Sequence, residues 1–247
     1  MIPELAKLLE SSVQENLEDR TAVAFSGGID STVIACVAKK SSETGLFSAG
    51  TEESIDLKVA EEVSKIIELD LKKGIMGEEE ILETYKKCKP VVPTGDLLKI
   101  EILVPVYKTA ELARNAGQEI LLFGSGAEEL FVGYDRYYGY MEEGKDIGAI
   151  LNEEYKTLEN REISWIKKVC WKFDIEARFP YYNRKLSDFV FSLPLETRIG
   201  DRDLKKNILR DAGKMLGVPD VVLKRRKKAM QYGSGIHRII MKHSDEL

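Results

Sequence analysis

The chain has 247 residues, 43% of them hydrophobic and 32% charged, with a formal net charge of −5. That is enough chain to bury a sizeable core in one large unit. The negative balance gives no support for nucleic-acid binding, and no apolar run nears the roughly 18–20 residues that span a bilayer. The N-terminal stretch MIPELAKLLESSVQENLEDR carries acids early and has no signal-peptide core, so a cytoplasmic protein without a membrane partner is expected. Cys36, Cys88 and Cys170 are widely spaced and form no CxxC, which argues against a disulfide framework or zinc site and for a reducing compartment.

Residues 3–17 predict a helix with Leu5, Leu8, Leu9 and Val13 on one face. The apolar run 21–25 predicts a buried parallel strand that ends at Ser26-Gly27-Gly28. From Asp30 the pattern is helical, with Val33, Ile34 and Val37 inward. GLFSAG, 45–50, predicts a second strand. Ser54 is placed to cap a helix in which Ile55, Val59, Val63 and Ile66 recur at helical spacing. A short strand is expected at 69–71, a helix at 78–87, and a loop around Pro90, Pro93 and Gly95. Residues 97–115 read as mostly helical, and EILLF, 119–123, as a strand ending in GSG. Strands alternating with helices predict an α/β fold, a parallel sheet with helices on both faces. Beyond about residue 145 helical patterns dominate, with aromatic anchors Trp165, Trp171, Phe173, Phe189 and Phe191. The expectation is one unit over 1–247, an α/β core at 1–145 followed by a mainly helical part at 146–247 that completes the site.

A strand, then SGGIDS, then a helix brings backbone N–H groups and a positive helix end to one point, which is an anion cradle. Glycines at 27 and 28 let the backbone approach a phosphate, and Ser26 and Ser31 add hydroxyls. Asp30 stands where a carboxylate beside phosphates would hold Mg²⁺. A plain strand-to-helix turn with glycines for packing is the alternative. The loop lacks the GK[ST] of a Walker A motif and is not GxGxxG.

SGGIDS resembles the SGGxDS loop of the ATP-pyrophosphatase (PP-loop) superfamily. The resemblance implies an adenine nucleotide α-hydrolase-like fold, ATP as cosubstrate, and cleavage between its α- and β-phosphates. Three further blocks narrow it. GSGAEELFVGY, 124–134, resembles the GEGSDELFGGY signature of asparagine synthetases. IEARFPY, 175–181, resembles their LEARVPFLD segment. Lys206-Asn207-Ile208-Leu209-Arg210, then Arg225-Arg226-Lys227 and Gly233-Ser234-Gly235, resemble their K-x-x-LR, RxK and G-x-G tail. The blocks occur in family order across 22–235, and the chain is identified as a member of the asparagine synthetase C-terminal domain family.

The resemblance implies an AMP- and pyrophosphate-forming amide ligase, in which a carboxylate is adenylated and then attacked by ammonia or another amine. Asp30, Glu128 and Lys227 are the implied catalytic residues, with Asp30 and Glu128 holding Mg²⁺. Ser26, Gly27, Gly28, Asp30, Ser31, Ala49, Gly50, Gly124 and Ser125 are the implied ATP contacts. Glu101, Glu129 and Arg178 are candidate substrate residues. Glu176 and Arg178 read more simply as a structural pair at the joint between the two parts, and most of the basic run 224–228 as an exposed helix end.

Four departures bear on function. Ile2 stands where glutamine-using members carry a nucleophilic cysteine, so a chain lacking the glutaminase domain is expected, with a separate glutaminase subunit as one nitrogen source. Ser125 replaces the signature's first glutamate, and serine cannot act as a general base at neutral pH without a helper. Glu128 replaces a metal-binding aspartate. Leu98 and Glu101 fall where a threonine and an arginine bind aspartate, which makes aspartate a poorer substrate candidate. The alternatives are an enzyme of the superfamily that adenylates a nucleotide or tRNA, and a catalytically reduced ATP-binding subunit. A homo-oligomer is left open.

Overall fold

A computed structural model describes residues 1–226 and 233–246. Five strands, β1 (Arg20–Ala24), β2 (Glu43–Gly50), β3 (Leu71–Ile75), β4 (Ile120–Leu122) and β5 (Glu176–Arg178), form one sheet in the order β3-β2-β1-β4-β5. Every neighbouring pair is parallel. β1 beyond its exposed Arg20 and β4 throughout are largely buried, as strands covered on both faces are. Helices flank the sheet, so the α/β expectation holds.

Two helices carry most of that cover. α2 (Ile29–Ala38) lies on β1 and β2, and all ten of its residues are buried, its apolar run 33–38 together with Asp30, Ser31 and Thr32 of the first turn. It is backed by α1 (Ile2–Gln14), α12 (Asn207–Met215) and α13 (Asp220–Leu223). α5 (Leu97–Asn115) lies on β1, β2 and β3, with α4 (Glu78–Cys88) and α9 (Glu162–Trp171) beside it. Pro105 sits inside α5 and has no N–H, so the helix gives the Glu101 carbonyl no i+4 partner. α3 (Ile55–Ile66) starts at Ser54, whose Oγ accepts from Leu57 N at 3.0 Å, as its position before the helical repeat implied.

Two readings needed correction. The strand expected at 69–71 begins only at Leu71, because Glu68 turns the chain out of α3 with φ 54° and Leu69 packs on the core. β3 is an edge strand, and its exposed Lys72 and Lys73 hid it from a search for apolar runs. The division at residue 145 also cuts across the sheet. β5 lies beyond it and pairs with β4, with Phe123 N donating to Arg178 O at 2.9 Å. Three residues, Glu-Ala-Arg, are too few to show a period, and only the neighbouring strand defines them as sheet.

Between β4 and β5 the chain forms α6 (Ala127–Leu130), α7 (Asp135–Glu142) and α8 (Ile147–Lys156) before α9. Val132, Tyr137, Tyr138, Ile147 and Leu151 make a small second core there. α10 (Arg184–Ser192) and α11 (Leu195–Arg198) follow β5, and α14 (Ile236–Lys242) is the last α-helix among the described residues. All three cysteines are free and buried, and burial pushes the Cys36 thiol up to about 11. No helix among the described residues is long and apolar enough to cross a membrane.

Candidate active site

In an open parallel sheet, ligands collect at the carboxyl ends of the strands where the strand order reverses. Here that point lies between β1 and β4, since β2 and β3 run outward on one side and β5 on the other. The loop after β1 is SGGI and the loop after β4 is GSG, so the two glycine-bearing stretches meet. A Cβ on Gly124 would stand 3.1 Å from Asp30 Cβ. At Gly27, φ is +68° and a Cβ would lie 3.0 Å from the Val59 backbone, so both conformation and space require glycine. Gly28 is the extended N-cap of α2 and leaves the first amides of that helix facing the crevice. Ser31 Oγ donates to Gly28 O at 3.3 Å and accepts from Ser26 N at 3.4 Å, which holds the loop closed on itself.

Asp30 is buried in the first turn of α2. Its carbonyl accepts from the Tyr181 hydroxyl at 3.0 Å, a support from the segment after β5. Its carboxylate meets Lys206, whose Nζ donates to Oδ1 at 2.8 Å and to Oδ2 at 2.9 Å. The same ammonium lies 3.0 Å from Glu128 Oε1 on α6. Lys206 has 3% of its side chain exposed, so this contact is made out of water. Its backbone shares the left-handed region with Lys205, at φ 55° and 53°. Non-glycine residues rarely adopt that conformation, and here it aims the side chain back under the loops. A Cβ on Gly133 would meet Lys206 Cε at 2.2 Å, so glycine clears the room.

Arg210 holds this turn. Its guanidinium donates to the carbonyls of Leu204 at 2.6 Å, Lys205 at 2.8 Å, Leu223 at 2.8 Å, Val222 at 3.1 Å and Arg225 at 3.1 Å. The K-x-x-LR spacing is thereby explained: the arginine ties the segment that presents Lys206 to the one that leads into the basic run. Burial lowers the Arg210 pKa, and Asp30 opposes that shift.

Glu129, next to Glu128 on α6, lies in a different setting. It is 3% exposed, and burial followed by the like charge of Glu162 pushes its carboxyl up to about 8. Arg198, buried beside it, donates to the backbone carbonyls of Leu130 and Glu129 at 3.0 and 3.1 Å. Ser125 Oγ, on the β4 loop, donates to Glu162 Oε1 at 2.5 Å.

The far lip is the end of β2. Ala49 is buried, and Gly50 is close to the returning C-terminal segment, where a Cβ would lie 2.9 Å from Ser234 O. Thr51 N donates to Ser234 O at 2.9 Å and Ser54 Oγ to Gly233 O at 3.0 Å. Gly233-Ser234-Gly235 is therefore clasped to the strand end. Lys227 lies outside the described residues.

The structure brings Ser26, Gly27, Gly28, Asp30, Ser31, Gly124, Ser125 and Glu128 together, with Ala49 and Gly50 on the neighbouring strand. Two candidates fall elsewhere. Glu101 is fully buried in α5, where His237 Nδ1 of α14 donates to it at 2.9 and 3.2 Å. It therefore faces a histidine rather than an open pocket wall. Arg178 donates to Asn16 O at 3.1 Å, Glu18 at 2.8 Å and Glu176 at 2.9 Å, which ties β5 to the turn before β1. That is the structural pairing anticipated for it, extended by Glu18.

Sequence reasoning gives Lys206 no role of its own, although it opens the K-x-x-LR block. Nor does it find Glu162, which stands 37 residues from Ser125 in no motif at all.

The family model "Asparagine synthase" matches residues 4–168 and 156–246. The chain belongs to the asparagine synthase family. It is 31% identical over 280 residues to a putative glutamine-hydrolyzing asparagine synthetase of Methanocaldococcus jannaschii, an alignment covering 96% of this chain and 50% of that protein. To the glutamine-hydrolyzing asparagine synthetase B of Escherichia coli it is 25% identical, covering 94% of this chain and 45% of that one. The chain thus spans about half the length of these relatives. Among solved structures, an NMN synthetase from Francisella tularensis aligns with a TM-score of 0.47 at 14% identity, over 99% of this chain and 92% of that one.

Mg²⁺ of the kind the asparagine synthase resemblance implies can be tested against these side chains. Asp30 and Glu128 converge on one cation, the Lys206 ammonium. Mg²⁺ is usually bound by one or two carboxylates together with phosphates and waters, so this donor set fits the ion.

Proposed function

We propose that this chain is the synthetase unit of an ATP-dependent amide ligase that releases AMP and pyrophosphate. It adenylates a small carboxylic acid, and ammonia or another amine then displaces AMP; a glutaminase subunit is one source of that ammonia. The carrying observation is the convergence of Asp30, Glu128 and Lys206 beneath two glycine loops at the switch point of the sheet.

The SGGI backbone and the α2 N-terminus bind phosphate oxygens, with Ser26 and Ser31 closing the loop around them. Ala49 and Gly50 border the adenine at the end of β2, and Gly124 and Ser125 wall the α-phosphate side. Mg²⁺, held by Asp30 and Glu128, would screen the charge of the leaving pyrophosphate. Lys206 adds a fixed positive charge at the same point, worth most when negative charge develops on the leaving group in a site poor in water. Lys227 takes the corresponding role from its place in the RxK motif. Glu101 is engaged by His237, which supports a site in which it does not oppose a second carboxylate. L-aspartate is therefore the first acid to try.

Exchange of radiolabelled pyrophosphate into ATP tests this reading. The purified chain with Mg²⁺ and L-aspartate, or another small acid, is expected to catalyse acid-dependent exchange, and Asp30→Ala to lose it. Release of ADP and phosphate, with no exchange for any acid, would overturn it.

A further inference from the structure

The basic run after α13 begins Lys224-Arg225-Arg226, and its three side chains are placed differently. Lys224 is paired with Asp220 at 2.9 Å and Arg226 with Asp203 at 2.6 Å, both in the open. Arg225 turns inward, and its Nη1 is buried with no hydrogen-bond partner. An arginine does not shed its charge, so a buried guanidinium donor left unpaired is costly and calls for an acceptor.

Neighbours on two sides locate this side chain. The Arg225 carbonyl accepts from Arg210 at 3.1 Å, and Arg210 also holds the turn that presents Lys206. That fixes the root of Arg225 on the side of Asp30, whose charge reaches Arg210. Burial lowers the Arg225 pKa, and the acids that oppose the shift are Asp56 and Glu62 of α3. Asp56, Val59 and Glu62 stand three residues apart on one stripe of that helix. Val59, in the middle, is the residue Gly27 packs on, where a Cβ would lie 3.0 Å away. These neighbours bracket the SGGI loop and the open amides at the start of α2.

We propose that Arg225 binds the terminal phosphates of ATP and the pyrophosphate they become, its guanidinium donating to the oxygens that the SGGI amides also hold. This rests on the ligase reading above and adds to it a residue with a stated ligand. Phosphate oxygens in pairs match the fork of a guanidinium. Arg225 differs in this from Lys206, whose ammonium is already engaged by Asp30 and Glu128. AMP lacks both terminal phosphates and should not need Arg225.

Calorimetry with inorganic pyrophosphate, ATP and AMP, each with Mg²⁺, tests this on wild type, Arg225→Met and Arg225→Lys, alongside thermal melts in buffer alone. Arg225→Met is expected to bind pyrophosphate and ATP on the order of 30-fold more weakly, and AMP within about twofold of wild type. Arg225→Lys keeps the charge without the fork and should fall between. In buffer alone Arg225→Met should melt at or above the wild-type temperature, because an unpaired buried donor is removed. A structural arginine would give the opposite pattern, a lower melt with all three ligands weakened together. The assignment is overturned if Arg225→Met binds pyrophosphate within about threefold of wild type, if AMP weakens as much as pyrophosphate, or if wild type binds no pyrophosphate. Where Arg225→Met does not fold, Arg225→Lys carries the test, and pyrophosphate bound as tightly as by wild type overturns the assignment. Absence of exchange in wild type with every acid overturns the ligase reading, and the pyrophosphate titrations then decide Arg225 by themselves.

Discussion

Glu128 and Glu129 are adjacent on one short helix and have opposite surroundings. Glu128 shares a buried ammonium with Asp30. Glu129 is out of water and near Glu162, Glu128 and Glu154, and burial first, then these like charges, push its carboxyl up to about 8. Sequence adjacency on a helix turns neighbouring side chains about 100° apart, so one faces the sheet ends and the other faces α8 and α9. The difference teaches that the crevice has two electrostatic halves. One is a compensated cation site suited to phosphates. The other holds a buried carboxyl, Glu129, which its surroundings keep from ionising.

Removing a member of the compensated half should have the largest effect. Asp30→Ala is expected to reduce pyrophosphate exchange on the order of 10³-fold while far-UV circular dichroism stays that of wild type. Retained exchange would show that the cation cluster is not where ATP is cleaved.

Lys206→Met sharpens the same point in stability. It leaves Asp30 and Glu128 facing each other without their shared ammonium, and breaking a buried pair in this way costs about 3–5 kcal/mol. The expected result is a large fall in melting temperature in EDTA, with part of it recovered by Mg²⁺, since a cation that binds only the folded state adds stability. Melting equal to wild type in EDTA would mean that Lys206 does not neutralise the pair.

Glu129 makes a prediction with pH. Glu129 ionises near 8 in the fold against 4.5 ordinarily. A carboxyl whose folded value is raised contributes its full stability below the unfolded value and loses it as pH climbs through the folded one. Wild type should therefore weaken between about pH 5 and 9, and Glu129→Gln should not. At pH 9 the variant is expected to be more stable by about 2–4 kcal/mol, and near pH 4 about equal. Denaturant melts at the two pH values measure this, and a gap that does not grow with pH would sink it.

What the sequence revealed of this site follows from distance along the chain. SGGIDS and GSGAEE each carry their chemistry within a few residues, next to apolar runs that define the strands, so their meeting at the sheet ends could be anticipated. Lys206 was visible only as a motif letter, because its role depends on two left-handed residues and on the carbonyls that Arg210 gathers. Glu162 gave no local signal, since it is one acid among many on an amphipathic helix. Glu101 misled for the opposite reason: aligning one residue to a family position said nothing of His237, 136 residues away. β5 was missed because three residues hold no period.

His237 supplies a smaller test. α14 is fastened to α5 by His237 on Glu101, and to α4 by Lys242 and His243 on Glu78. Its first turn follows directly on the Gly233–Gly235 clasp against β2. His237→Ala deprives the buried Glu101 carboxylate of this donor and is expected to cost about 1–3 kcal/mol. Since α14 carries the clasp, ATP should also bind less tightly, measured by calorimetry. Unchanged affinity would separate the clasp from the nucleotide site.

The smallest effect is expected at Arg178, and it discriminates between two readings of one residue. If Arg178 bound the acid, its loss would raise KM for that acid and leave the fold untouched. The structure instead gives its guanidinium three partners, the Asn16 carbonyl and the carboxylates of Glu18 and Glu176, all on the rim between β5 and the turn into β1. Glu18 and Glu176 are largely exposed, so water screens these pairs and each contributes little. Arg178→Met should therefore lower stability by about 1 kcal/mol and shift KM less than twofold, because the contacts it loses hold a strand edge rather than a ligand. Arg178→Lys keeps the charge but not the fork that spans three acceptors, so it should fall between wild type and Met in a thermal melt. A KM for the acid raised tenfold at unchanged melting temperature would return Arg178 to the substrate site and move the boundary of the crevice to β5.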